Sequence, residues 1–193
     1  MERPTKEQIK ALPFYMGLDL PDIKIIESEE DAKQAVSALE NEPCLGFDTE
    51  TKPTFRKGEE SPAPALIQLA TESTGYLFPT RFSFAVEAAR VLLTNERIQK
   101  VGFGIKDDNK ALRNKLDIEI ANTQDLSVVL KNKVGEKNTI GARAAVAMVL
   151  NLCLRKGAQI SNWGAYPLKK SQVLYAANDA HSAICVAKAL RKK

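Results

Sequence analysis

Three short apolar segments stand close together in the first half of the chain, at residues 44–50, 64–70 and 75–78, with turn-rich connections between them. Connections this short lay consecutive strands side by side, so the three segments predict an antiparallel meander. The pattern then changes. Residues 82–93 carry amphipathic helical spacing, 98–103 read as strand, 107–115 as helix, 118–121 as strand and 125–131 as helix. Two more helices are expected over 138–150 and 171–190. Alternation of strand and helix implies parallel strands covered by helices. Ahead of the meander, residues 23–26 form a short strand candidate, and Ser28 caps a helix running to Leu39. The expected fold is therefore α/β, one mixed sheet of antiparallel meander plus parallel strands, flanked by helices. Residues 1–21, broken by Pro13 and Pro21, read as an N-terminal arm, and 22–193 as a single domain.

Composition narrows the class. Apolar residues are 44% and charged residues 27% of 193, enough for a full core in one domain. No apolar run approaches the ~20 residues that span a bilayer, and the first residues lack a signal-peptide apolar segment. A non-secreted protein is expected, cytoplasmic or nucleoid-associated (nuclear in a eukaryote). Cys44, Cys153 and Cys185 are scattered and odd in number, which suits reduced packing residues better than a disulfide framework or zinc site. The net charge of +4 permits a polyanionic partner without requiring one.

Asp48 and Glu50 close the first meander strand. Side chains alternate along a strand, so these carboxylates point to one face. Spacing alone says little: five acid pairs at i,i+2 occur in the sequence, where about three arise by chance at this composition. Context separates this pair, because it ends an apolar strand expected at the sheet centre, where two anions repel by a few kcal/mol at an effective dielectric of about 20. A divalent cation bound by hard oxygen donors removes that repulsion. The simpler reading is two charges emerging from a strand end. Tyr175 and Asp179 are i and i+4 on the last helix and share a face, with Ala176, Ala177 and Ala180 small enough for close approach to a sheet. A phenol and a carboxylate so placed can bind a metal and orient a water, or form a local buried hydrogen bond. His181, the only histidine, is expected at the surface or rim. Asp107 and Asp108 begin a helix, where one acid serves the helix start and the other is available for chemistry. The glycines of Gly102-Phe103-Gly104 lack the third glycine of a dinucleotide fingerprint and meet acids instead of phosphate, which excludes that reading.

Taken together, the motifs resemble those of the DEDD-type 3′→5′ exonucleases with a tyrosine in the last motif, the group containing ribonuclease D and the Werner syndrome exonuclease domain. The resemblance rests on Phe47-Asp48-Thr49-Glu50, on the strand from Pro64 to Leu69, on Val101 to Asp108, and on Tyr175 to Ala180 preceded by Ser161-Asn162-Trp163 and Pro167-Leu168. It covers roughly residues 23–190 and implies a ribonuclease-H-like fold. It further implies that Asp48, Glu50 and Asp179 hold one Mg²⁺ or Mn²⁺, that Asp48 bridges to a second, and that Asp108, matched better than Asp107, acts through a water shell. Tyr175 would orient the attacking water at the 3′ end of DNA or RNA, with DNA slightly favoured, and nucleoside monophosphates as product. The aromatic residue that follows the middle aspartate in the Werner-type domain is replaced here by Asn109 and Lys110. Phe55, Arg56, Lys57, Asn109 and Trp163 are candidates for contacting the strand, with a core or capping place equally open to Trp163. Helicase-type extensions are not seen in this sequence, so substrate handling is expected from the domain itself or from a helicase, repair or processing partner in trans. A silent nucleic-acid-binding module of the same fold is the alternative, although none of the four acids is lost.

Overall fold

The computed structural model describes residues 2–54, 60–155, 157 and 160–192. Its strands are β1 (Ile23–Ile25), β2 (Cys44–Thr51), β3 (Pro64–Ala70), β4 (Gly75–Pro79), β5 (Gln99–Gly102) and β6 (Thr123–Asp125). They form one six-stranded sheet in the order β1-β4-β3-β2-β5-β6. β2, β3 and β4 pair antiparallel, as the short connections require, while β1–β4, β2–β5 and β5–β6 are parallel. The helices are α1 (Lys6–Ala11), α2 (Glu29–Leu39), α3 (Ser83–Thr94), α4 (Lys106–Leu116), α5 (Leu126–Val134), α6 (Ala142–Leu150) and α7 (Lys170–Arg191). This is the expected mixed α/β sheet flanked by helices.

Alternation along the strands divides the core. Leu45, Phe47, Ile67, Leu69 and Phe78 face α2 and α3, whose alanines and leucines cover them. On the opposite face α7 lies across the sheet, with α6 and α5 packed beside it. Local chemistry sets the helix ends. The Ser28 hydroxyl accepts from the Asp31 N–H at 3.1 Å, and three acids occupy the first turn of α2, where the helix dipole favours them.

Two boundaries differ from expectation. The third parallel strand is Thr123–Asp125, not 118–121. Asp117 ends α4 at φ 52° and Asn122 turns at φ 50°, so 118–121 is a crossing segment held between two left-handed residues. Its apolar character reflects the burial of Ile118 against the core, and the Ala121 N–H donates to the Leu93 carbonyl at 2.9 Å rather than to a strand. Helix α6 begins at Ala142 instead of 138, because Gly141 is still extended and Ile140 reaches back to the Ser127 carbonyl. Residues 13–18 lie against the domain. Pro13 and Tyr15 exchange backbone bonds with Cys153 at 2.7 and 3.0 Å, and the Asn178 side chain bonds both backbone polar groups of Leu18.

Close approach of α7 to the sheet depends on missing side-chain volume. A Cβ on Gly46 of β2 would lie 1.9 Å from the Ala180 carbonyl oxygen of α7. Gly46→Ala should push helix and strand apart and destabilise the domain by about 3 kcal/mol, at the upper end of overpacking effects. Urea unfolding measures this, and wild-type stability in the variant would show that α7 is not seated as described.

Candidate active site

The burial of β2 explains where its acids emerge. Its first four residues are buried and its last four open toward solvent. β5 pairs with β2 only as far as Gly46↔Val101, so the strand edge beyond Gly46 is free. The turn into α4 fills that edge: a Cβ on Gly102 would lie 2.5 Å from the Phe47 carbonyl oxygen. On the other side, the alanine face of α7 carries Tyr175 and Asp179 to the open half of β2.

Carboxylate oxygens of Asp48, Glu50 and Asp179 lie within 4.8 Å of one another. Asp108 joins from a different direction. Thr49 alternates to the opposite face of β2 from Asp48 and Glu50, and its hydroxyl donates to Asp108 Oδ1. Asp108 therefore approaches past the strand edge and stands outside the tight trio. Asp107, one residue earlier on α4, is exposed. Of the two neighbouring acids, only Asp108 turns toward β2.

The electrostatics are those of crowded anions. Burial, then repulsion from Asp179, Asp108 and Glu50, holds the Asp48 carboxyl well above the usual range. Glu50 is pushed up to about 8 by burial and by Asp179 and Asp108. Asp179 rises to about 6 through burial, opposed by the hydrogen bond from Tyr175. Burial raises Asp108 as well, opposed by Thr49. Tyr175 is raised by burial and by Asp179, which keeps it a protonated phenol able to donate. Three clustered oxygen ligands whose ionised forms repel fit a hard divalent cation, because attraction to its charge outweighs their mutual repulsion.

The strand-contact candidates fare differently. Phe55, Arg56 and Lys57 lie outside the described residues. Asn109 is half-buried on α4, with its Oδ1 buried and without a hydrogen-bond partner among the described residues. Trp163 takes the core place: it is 3% exposed, packed with Leu66, Val173 and Ala176 and tilted against Tyr175 at 6.1 Å. It acts as a wall behind Tyr175. His181 also differs from expectation. It is buried, with Nδ1 2.6 Å from the Tyr15 hydroxyl and Nε2 2.9 Å from the Glu72 carbonyl, which ties the N-terminal segment to α7. Reading from sequence missed Thr49, whose only signal was a hydroxyl between two acids. It also missed Gln68, a lone amide in an otherwise apolar strand.

A mixed sheet whose central strand delivers clustered carboxylates at its open end, under one long helix, defines a ribonuclease-H-like nuclease fold. A family model of 3′–5′ exonuclease domains matches residues 23–193. The chain belongs to this 3′–5′ exonuclease family. It is 31% identical over 151 residues to the bifunctional 3′-5′ exonuclease/ATP-dependent helicase WRN of Mus musculus, covering 77% of this chain and 11% of that protein. DNA polymerase I of Aquifex aeolicus is 30% identical over 158 residues, covering 82% and 25%. Among solved structures, Trypanosoma brucei RNase D in complex with RNA U12 superposes with a TM-score of 0.79 at 19% identity, covering 97% of this chain and 65% of that one. The chain thus spans a small part of these curated relatives. No helix among the described residues is long and apolar enough to cross a membrane.

Proposed function

We propose that the domain removes nucleotides from the 3′ ends of nucleic acid by metal-dependent hydrolysis, releasing nucleoside monophosphates. The observation that carries this reading is the convergence of Asp48, Glu50 and Asp179 oxygens within 4.8 Å. Asp48, Glu50 and Asp179 would hold one Mg²⁺ or Mn²⁺, Asp48 would be shared with a second, and Asp108 would act through an intervening water. Cations held there would supply charge to stabilise the attacking and the leaving oxygen of an in-line displacement.

The chain's own groups do the rest. The Tyr175 hydroxyl, held as a phenol that donates to Asp179, would accept from and so orient the attacking water. The water oxygen would bond to phosphorus as the bond to the penultimate nucleotide's 3′ oxygen breaks; the water gives up one proton to solvent, and the leaving oxygen takes one from solvent to become the 3′-hydroxyl. Thr49 holds Asp108 at the strand edge beside the cluster. DNA is favoured on the likeness to a DNA polymerase, while the RNase D structure solved with RNA makes RNA the necessary second arm. A helicase or repair partner acting in trans would supply unwound ends.

The test is a panel of single-stranded, recessed and mismatched DNA beside single-stranded RNA, each with Mg²⁺ or Mn²⁺. Stepwise shortening from the 3′ end with mononucleotide product is expected. Binding without metal-dependent cleavage of any substrate would replace the enzyme by a silent binding module.

A further inference from the structure

Gln68 is the odd residue of the sheet interior. It sits in the middle of β3, is 0% exposed, and neither its Nε2 nor its Oε1 has a hydrogen-bond partner among the described residues. Its strand neighbours Ile67 and Leu69 are equally buried hydrocarbons, and so is Leu77, directly opposite on β4. A buried amide with no partner is destabilising compared with an apolar side chain of the same size. Packing alone therefore gives no reason for an amide at this position.

Register supplies one. Gln68 is directly opposite Asp48 in the antiparallel β2–β3 pair. Directly opposed residues project from the same face, with Cβ atoms about 5 Å apart, so a side chain as long as glutamine reaches its neighbour's carboxylate. The second flank of Asp48 is taken by the Thr49 N–H, which donates to Oδ1 at 2.9 Å. On the face they share, α7 brings Ala176, Ala177 and Ala180, which carry no side-chain polar group, together with Asp179, whose carboxylate belongs to the trio itself.

We propose that Gln68 is a positioning residue for Asp48: its amide N–H donates to Asp48 when the carboxylate is ionised and metal-bound, fixing which oxygen faces the cation. This rests on the functional reading above. Polar groups behind a metal ligand fix its orientation, and their loss typically weakens metal affinity about 10–100-fold. The unpartnered amide is then explained as a group whose hydrogen bond belongs to the loaded site.

The test is Gln68→Met, an apolar replacement of nearly equal volume. Mn²⁺ affinity is measured without nucleic acid by electron paramagnetic resonance, beside thermal melting of the metal-free protein and oligonucleotide hydrolysis. Mn²⁺ should bind about 10–100-fold more weakly, kcat should fall while KM for the oligonucleotide holds, and the metal-free melting temperature should stay level or rise. Wild-type Mn²⁺ affinity in the variant overturns the proposal. So does a melting temperature that falls, or a variant that does not fold, since either places the amide's partner in the metal-free fold. If the wild-type protein binds Mn²⁺ but cleaves nothing, the exonuclease reading fails while the Mn²⁺ comparison still decides the role of Gln68.

Discussion

Asp48→Asn is expected to abolish cleavage while making the metal-free domain more stable. Asp48 belongs to the oxygen trio and feels repulsion from all three other acids. Asparagine keeps the shape but cannot carry the charge that a shared ligand to two cations needs. A loss of about a thousandfold or more in kcat is expected, about 4 kcal/mol in the barrier. Stability should move the other way, because one of four mutually repelling groups becomes permanently neutral. Single-turnover cleavage with Mn²⁺ and melting in EDTA read the two effects separately. Full activity in Asp48→Asn would remove these acids from the mechanism, and a lower metal-free melting temperature would contradict the described repulsion.

Loss of stability with rising pH is the second large effect, and it should appear only without metal. Glu50 titrates near 8 in the folded domain against an ordinary value of about 4.3 when unfolded. Between those values the folded state holds a proton that the unfolded state has released. Stability is therefore highest on the acid side and falls as pH rises toward 8. Asp179, at about 6, adds to the fall at lower pH, and Asp48 acts in the same direction. His181 opposes them at the acid end, since burial lowers its pKa and stability gained from it rises with pH through its ordinary value of about 6.5. Lys100, lowered to about 8 by burial, contributes mainly above that pH. The clearest decline is thus expected between about pH 6.5 and 8. Mn²⁺ binding should run oppositely, tightening over the same window because the ligands must first lose their protons. Melting in EDTA and in Mn²⁺ across pH 5–8.5 distinguishes the two; a metal-free melting temperature that climbs from pH 6.5 to 8 would contradict the raised values.

Much of this arrangement was legible in the residues because its signals are local. Period-two alternation placed Asp48 and Glu50 on one face, and i,i+4 spacing placed Tyr175 with Asp179. Short connections predicted the meander, and motif order led to the family. Where a signal was ambiguous, local reading failed for a physical reason. The apolar run at 118–121 is as compatible with a buried crossing as with a strand, and only the left-handed turns at Asp117 and Asn122 separate the two. Trp163 has the chemistry of a stacking residue, but burial against Leu66 and Val173 leaves it none of the surface. His181 looked like a rim residue until the N-terminal segment folded over it.

The sequence by itself determined which acids exist, which pairs share a face, and what class of sheet carries them, since these follow from backbone periodicity. Only the tertiary structure decided that Asp108 rather than Asp107 turns inward, because that depends on where β5 stops pairing and lets α4 reach Thr49. It alone set Gln68 across from Asp48, because strand register is a contact between residues far apart in the chain. Burial and mutual repulsion, which raise the carboxyls and prepare them for a cation, exist only once β2, α4 and α7 meet.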